Sequence, residues 1–361
     1  MKAALRSFPA WTLATPLLGW LLLAGLSLGS DPAYKALLVV ALLAGVVAAV
    51  HHAEVVAHRV GEPFGTLILA AAVTVIEVAL IVTLMLAGGQ ATSALARDTV
   101  FSTVMIILNG IVGLCLLVGG RRHLEQHFEL KGVNASLSTL AAIVVLTLIL
   151  PSFTTSVPGP FYSAKQLGFV AVVCLLLYCT FLFIQTVRHR DYFLPTDPGS
   201  NADVHLPPPS NQVALISSLL LMVGLAAVVL LAKAISPLIE SGVARMGAPA
   251  ALVGIIISTI VLLPEGLAAL KAARQNRLQT SLNLALGSAL ASIGLTIPAV
   301  AIVSIFNGWP LALGLDVKSI VLLVLSLFVS ILSLGTGRTT ILQGMVHLVI
   351  FATYLFLTIF P

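Results

Sequence analysis

The chain of 361 residues is 59% apolar and only 9% charged, with a mean hydropathy of +1.11. Soluble domains carry about a quarter charged residues, so a soluble enzyme or binding module is excluded and an all-α integral membrane protein is expected. The net charge of +5 is spread thinly. No basic cluster exceeds a few residues, so a nucleic-acid partner is not expected.

About eleven apolar runs are long enough to cross roughly 30 Å of hydrocarbon. In chain order they cover 10–28, 36–53, 64–87, 99–119, 133–151, 164–187, 212–235, 248–270, 281–306, 317–334 and 339–360. The short alternating segments of a membrane β-barrel do not occur. The first run competes with a cleaved leader: Lys2 and Arg6 precede it and Ser27 to Ser30 are mostly small. Its apolar stretch exceeds the usual leader core of about 7–15 residues, so it reads as a retained helix. Cys115, Cys174 and Cys179 fall inside runs, outside any CxxC or Cys/His grouping, and read as packing residues. The run Arg121–Lys131 reads as a solvated loop. The one substantial hydrophilic break, 188–211, is rich in Pro, Asp and Asn and reads as a flexible linker. With the N-terminus cytoplasmic and the C-terminus outside, twelve of the eighteen Lys and Arg residues fall on the cytoplasmic side, as the positive-inside rule requires.

The third and eighth runs each carry a glutamate well inside the span, Glu77 and Glu265. A carboxylate at that depth costs about 2.5–3.5 kcal/mol even on lenient insertion scales, so it marks an ion path or a satisfied polar contact between helices. Upstream, Glu54-x6-Gly61-x-Pro63 repeats as Glu240-x6-Gly247-x-Pro249. The fourth and ninth runs have small or polar centres, Leu108–Leu114 and Leu286–Leu295. The pattern divides the chain into a peripheral first helix (1–30), a five-helix repeat (31–187), a cytoplasmic linker (188–211) and a second five-helix repeat (212–361). An odd number of spans per unit forces the second copy to insert upside down, the arrangement of many secondary transporters. With the prolines at the outer limits of the two interfaces, Glu77 about 21 Å beyond Pro63 and Glu265 about 24 Å beyond Pro249 reach similar depths.

Two carboxylates converging at mid-depth suit a hard cation, with further oxygens from Asn109, Ser288, Ser292, Asn283, Thr74, backbone carbonyls or water. Ser288 and Ser292 read equally as ligands or as packing residues. Gly110, Gly113, Gly287 and Gly294 would let neighbouring helices approach. Burial and mutual repulsion favour the protonated form of an empty site, so protons and metal compete for the same oxygens. Glu54 and Glu240, nearer the span ends, read either as interfacial residues or as parts of the ion path. His51, His52 and His58 lack HExxH spacing and read as mouth or interfacial residues. A cation channel is an alternative, but a continuous pore would need oligomeric symmetry. An intramembrane enzyme would need a catalytic set that the spans lack.

The stretches GEPFGTLILAAAVTVIEVALI and VLLPEGLAALKAARQNRLQTSLNLALGSALASIGLTIPAV resemble the two signature regions of Cha-type bacterial calcium (sodium/potassium)/proton antiporters of the cation/calcium exchanger superfamily. The resemblance implies one peripheral helix plus two inverted five-helix units, inner-membrane localisation, and Ca²⁺ bound between the third and eighth spans. Carried over residue by residue, it makes Glu77 and Glu265 the ion ligands and Glu54 and Glu240 the residues of ion entry or proton exchange; from the residues themselves, Asn109 and Ser288 are expected to complete the shell. Vacuolar members carry Gly-Asn before each glutamate; Val75-Ile76 and Leu263-Pro264 stand there instead. The expected activity is export of Ca²⁺ against H⁺, with Na⁺ or K⁺ as the alternative cargo. No resident cofactor is expected.

Overall fold

The computed structural model describes residues 8–25, 31–61, 64–88, 92–194, 208–247, 249 and 251–360. Eleven helices correspond one for one to the expected spans. They are α1 (Ala10–Ala24), α2 (Pro32–Val60), α3 (Phe64–Gly88), α4 (Leu95–His123), α5 (Leu130–Phe153), α6 (Ala164–Arg188), α7 (Asn211–Arg245), α8 (Ala251–Arg274), α9 (Leu278–Asn307), α10 (Val317–Leu334) and α11 (Ile341–Ile359). Among the described residues nine are long and apolar enough to cross a membrane, with α1 and Thr74–Leu86 of α3 as shorter apolar helices. The chain is a multi-pass membrane protein. Spanning helices arise because a backbone in hydrocarbon must satisfy its own N–H and C=O groups. Local signals set their starts: Ser163 with Gln166 and Thr340 with Gln343 form capping boxes before α6 and α11, and Asp316 accepts from the Ser319 N–H before α10.

The helices cluster into two compact units, Met1–Leu84 with Asp203–Met246, and Met85–Ala202 with Gly247–Pro361. In the first, α2 packs along α7 and against α1. Polar ties run along these contacts. The Trp20 indole donates to the Val223 carbonyl at 3.2 Å, and Arg59 Nε donates to Asn211 Oδ1 at 2.8 Å. His52 is fully buried, with Nε2 3.1 Å from the Thr12 carbonyl and its ring edge-on to Phe8. It ties α2 to α1.

In the second unit α9 is central, packing on α4, α5, α6 and α8, while α4 also packs on α11. Two of the four expected close-approach glycines serve that purpose. A Cβ on Gly113 would meet His347 Cβ at 3.0 Å and one on Gly294 would meet Tyr178 Cβ at 2.9 Å, whereas Gly110 makes ordinary contact and Gly287 faces open space. The run Arg121–Lys131 is not simply a solvated loop. Gln126 and His127 form strand β1, antiparallel to β2 (Arg338–Thr339). Buried Gln126 donates to the Ala273 carbonyl and to Asn276 Oδ1, both at 3.0 Å. The start of the expected linker is also docked. Arg190–Phe193 forms a 3₁₀ turn, buried Phe193 meets the Phe181 ring edge-on, and its carbonyl accepts from Asn283 at 2.6 Å. Residues 195–207 of that linker lie outside the described residues. All three cysteines are free thiols, Cys115 and Cys174 buried and Cys179 exposed.

Candidate functional site

In the second unit the structure joins two of the expected site residues. Glu265 on α8 accepts a hydrogen bond at Oε2 from Ser288 Oγ on α9. Ser288 is buried and Glu265 half-buried. The hydroxyl has one proton to give and two lone pairs, so it orients the carboxylate while keeping an acceptor free for a cation. Pro264 precedes the glutamate inside α8. Its missing N–H leaves the Ile260 carbonyl, one turn earlier, without its usual helical donor. Against the vacuolar pattern Leu263-Pro264 is only a departure. The i to i−4 rule of helices was the signal that could have found the carbonyl.

Asn109 goes elsewhere. It sits, fully buried, in a π-helical stretch of α4, Ile106–Ile111. Its amide nitrogen donates to Ser326 Oγ on α10 at 2.8 Å. Its Oδ1 lies 3.3 Å from His347 Nδ1 on α11. An amide oxygen only accepts, so Nδ1 carries the proton. His347 Nε2 is 2.7 Å from Ser333 Oγ, so the neutral imidazole is satisfied at both ends. Asn109 thus ties three helices together beside α8, where Gly266 faces Ile111 at 3.2 Å from its missing Cβ. The π-turn thereby packs against α8 at Gly266, the residue after Glu265. His347 was absent from the sequence reading because nothing local links it to Asn109. Asn283 is likewise used at the helix end, between Gln279 and Phe193. Ser292 is buried.

In the first unit Glu77 lies on α3 with 3% of its surface exposed, and Thr74, one turn earlier, is buried as well. Glu54 is exposed on α2. Glu240 lies on α7, but its side chain falls outside the described residues. The duplicated Glu-x6-Gly-x-Pro pattern has a backbone counterpart. Gly61, closing α2, has φ +77°, and Gly247, following α7, has φ +66°. Both copies therefore end a helix in the left-handed region that glycine enters without a Cβ clash. Glu62, Pro63 and Ala248 are outside the described residues.

Among the described residues no group of three or more His, Cys, Asp or Glu side chains could hold a metal ion. A cation at Glu265 would draw its remaining oxygens from hydroxyls, carbonyls and water, as hard cations accept. Ser288→Ala is expected to weaken apparent cation affinity about ten-fold, the low end of losing a residue that orients a ligand. Titration of cation-dependent flux in proteoliposomes measures it. An unchanged half-saturation concentration would remove Ser288 from the site.

The sodium/calcium exchanger protein family matches two stretches of the chain, residues 32–187 and 216–360. The chain belongs to this family. A relative described as a putative ionic transporter, y4hA of Sinorhizobium fredii (strain NBRC 101917 / NGR234), is 47% identical over 98% of this chain and 97% of its own. The sodium-potassium/proton antiporter ChaA of Escherichia coli (strain K12) is 38% identical over 91% of this chain and 89% of its own. Among solved structures, the selenium-substituted Ca²⁺/H⁺ antiporter protein YfkE has a TM-score of 0.72 at 19% identity, covering 98% of each chain. At that identity the likeness concerns the fold of this exchanger-family member.

Proposed function

We propose that this exchanger-family protein is a secondary active antiporter of the inner (plasma) membrane that exports Ca²⁺ from the cytoplasm in exchange for H⁺ by alternating access. The observation that carries the reading is a carboxylate inside a membrane span, Glu265, oriented by Ser288 from the neighbouring helix. Buried Glu77 is its counterpart on α3. Deprotonated, these side chains supply the negative charge that a hard cation needs in exchange for its water shell. Protonated, they lose that charge and release it. Competition for the same oxygens couples the two flows. Glu54 and Glu240 line the approaches to these carboxylates, and Asn109 acts by holding the wall of α4 rather than as a ligand.

The arrangement proposed is a peripheral first helix (1–30) followed by two inverted five-helix repeats (31–187 and 212–361) joined by a cytoplasmic linker (188–211). The N-terminus is cytoplasmic and the C-terminus outside. Support comes from the two family-matched stretches, 32–187 and 216–360, and from the shared left-handed glycine after each Glu-x6 helix end. The asymmetry of loop charge supports the orientation.

A second reading, exchange of Na⁺ or K⁺ for H⁺ on the same scaffold, is favoured by the 38% identity to the sodium-potassium/proton antiporter. One experiment separates the readings. Proteoliposomes are loaded acidic, and recovery of an internal pH dye is followed on adding each cation outside. Ca²⁺ is expected to discharge the gradient. Discharge by Na⁺ or K⁺ but not Ca²⁺ selects the second reading. A cation current without proton movement would indicate a channel and end both.

A further inference from the structure

At the carboxyl ends of α4 and α8 the second unit carries a recess distinct from the Glu265 site. His123 Nε2, ending α4, donates to the Arg274 carbonyl at 3.1 Å, so the two helix ends lie side by side. Between them opens a cavity of about 670 Å³, lined by Arg122, His123, Lys271 and Arg274 with Leu267 and Leu270. Among the described residues no acidic side chain lines it. Glu125, the acid nearest in sequence, pairs instead with Arg338 at 3.7 Å.

The charge exceeds what the helices need. Each helix carboxyl end carries about half a negative charge, so two of them neutralise roughly one of the three permanent cations. A net charge of about +2 remains around one recess. The leucines add a direction. Leu267 and Lys271, and Leu270 and Arg274, are spaced four apart and therefore share a face of α8. Each leucine sits about 6 Å further into the span than its cation. Leu267 is 59% exposed, on a helix apolar and long enough to span the membrane. Cationic groups at the helix end above apolar ones toward the hydrocarbon reproduce the order of a phosphate head group and its acyl chains.

We propose that this recess binds an anionic phospholipid. Its phosphate is held by Arg122, Lys271 and Arg274, and its first acyl carbons lie on Leu267 and Leu270. Basic pockets between helices at a membrane face are suited to such head groups. A soluble phosphate would use the cations but have no use for the leucines below them. The proposal is independent of which cation is transported.

The test is native mass spectrometry of the purified full chain in detergent, incubated with equal amounts of tetraoleoyl cardiolipin and dioleoyl phosphatidylcholine. Wild-type protein is expected to retain cardiolipin about ten-fold or more over phosphatidylcholine, since basic residues near an anionic surface each add to the preference. The variant R122Q/K271Q/R274Q is expected to lose that preference. R188Q/R190Q, which removes two basic residues elsewhere, is expected to keep it. Leu267→Gln keeps every charge and is expected to weaken retention, and it carries the test if the triple variant fails to fold. Equal retention by wild type and either of the R122Q/K271Q/R274Q or Leu267→Gln variants would overturn the proposal, as would equal loss in R188Q/R190Q. Complete displacement of cardiolipin by millimolar inorganic phosphate would overturn it in favour of a soluble anion.

Discussion

Glu265→Gln is expected to abolish proton-coupled cation flux in proteoliposomes while leaving the protein folded, and Glu77→Gln is expected to do the same. Glutamine keeps the shape of the side chain and an oxygen that can accept from Ser288, so the packing of α8 on α9 should survive. It loses both things the chemistry uses: the negative charge that holds a hard cation and the oxygen that takes up a proton. Losing a group that merely orients a ligand costs about 10–100-fold, so losing the ligand itself should exceed that range. Glu265→Asp restores the charge on a shorter arm and should recover part of the flux. The measurement is initial ⁴⁵Ca²⁺ uptake under an imposed pH gradient, beside a melting curve for each variant. Wild-type uptake by both glutamine variants would eliminate carboxylate-based exchange. Loss of uptake with a collapsed melting curve would assign the glutamates to folding instead.

The second large effect concerns the seam between α4 and α11. A Cβ on Gly344 would stand 2.5 Å from the Leu117 nitrogen and 2.9 Å from the Gly113 carbonyl oxygen, both backbone atoms that cannot swing away. Gly344→Val therefore has to push α11 outward. That movement separates His347 from Asn109, and Asn109 from its hold on the π-turn. Overpacking costs about 1–3 kcal/mol where side chains can yield, and a backbone clash belongs at or above the upper end. A large fall in melting temperature and in the yield of monodisperse protein is expected. His347→Ala should be milder, since hydrogen bonds between membrane helices average only about 0.6 kcal/mol. Its effect should appear mainly as altered apparent cation affinity. A Gly344→Val protein that melts like the wild type would mean that the seam does not bear on stability.

The two results separate what is chemical from what is architectural. Glu265 acts through charge at the site, so a substitution can remove function and keep the fold. Gly344 acts through the space it leaves, so a substitution removes the fold and function with it. The pairing of Glu265 with Ser288 lies between these cases, because the hydroxyl both packs α9 on α8 and aims the carboxylate.

Sequence alone determined where the chain crosses the membrane, since each span must satisfy its backbone internally and therefore announces itself as a local apolar run. It also determined which residues are chemically out of place there, Glu77, Glu265 and Asn109, and where the helices break, at Gly61 and Gly247. Which polar groups meet was decided only by tertiary packing. The partners of Asn109, Ser326 and His347, lie more than two hundred residues away and could not be named from its own segment. Gln126 was read as part of a solvated loop and lies buried between β2 and the end of α8. His52 reads from sequence as a mouth or interfacial residue, and packing supplies its partner on α1, the Thr12 carbonyl. Hydropathy and helix periodicity are properties of one segment against lipid. A hydrogen bond between helices depends on how segments far apart in the chain pack, and the local sequence does not encode the rotation and depth of its neighbour.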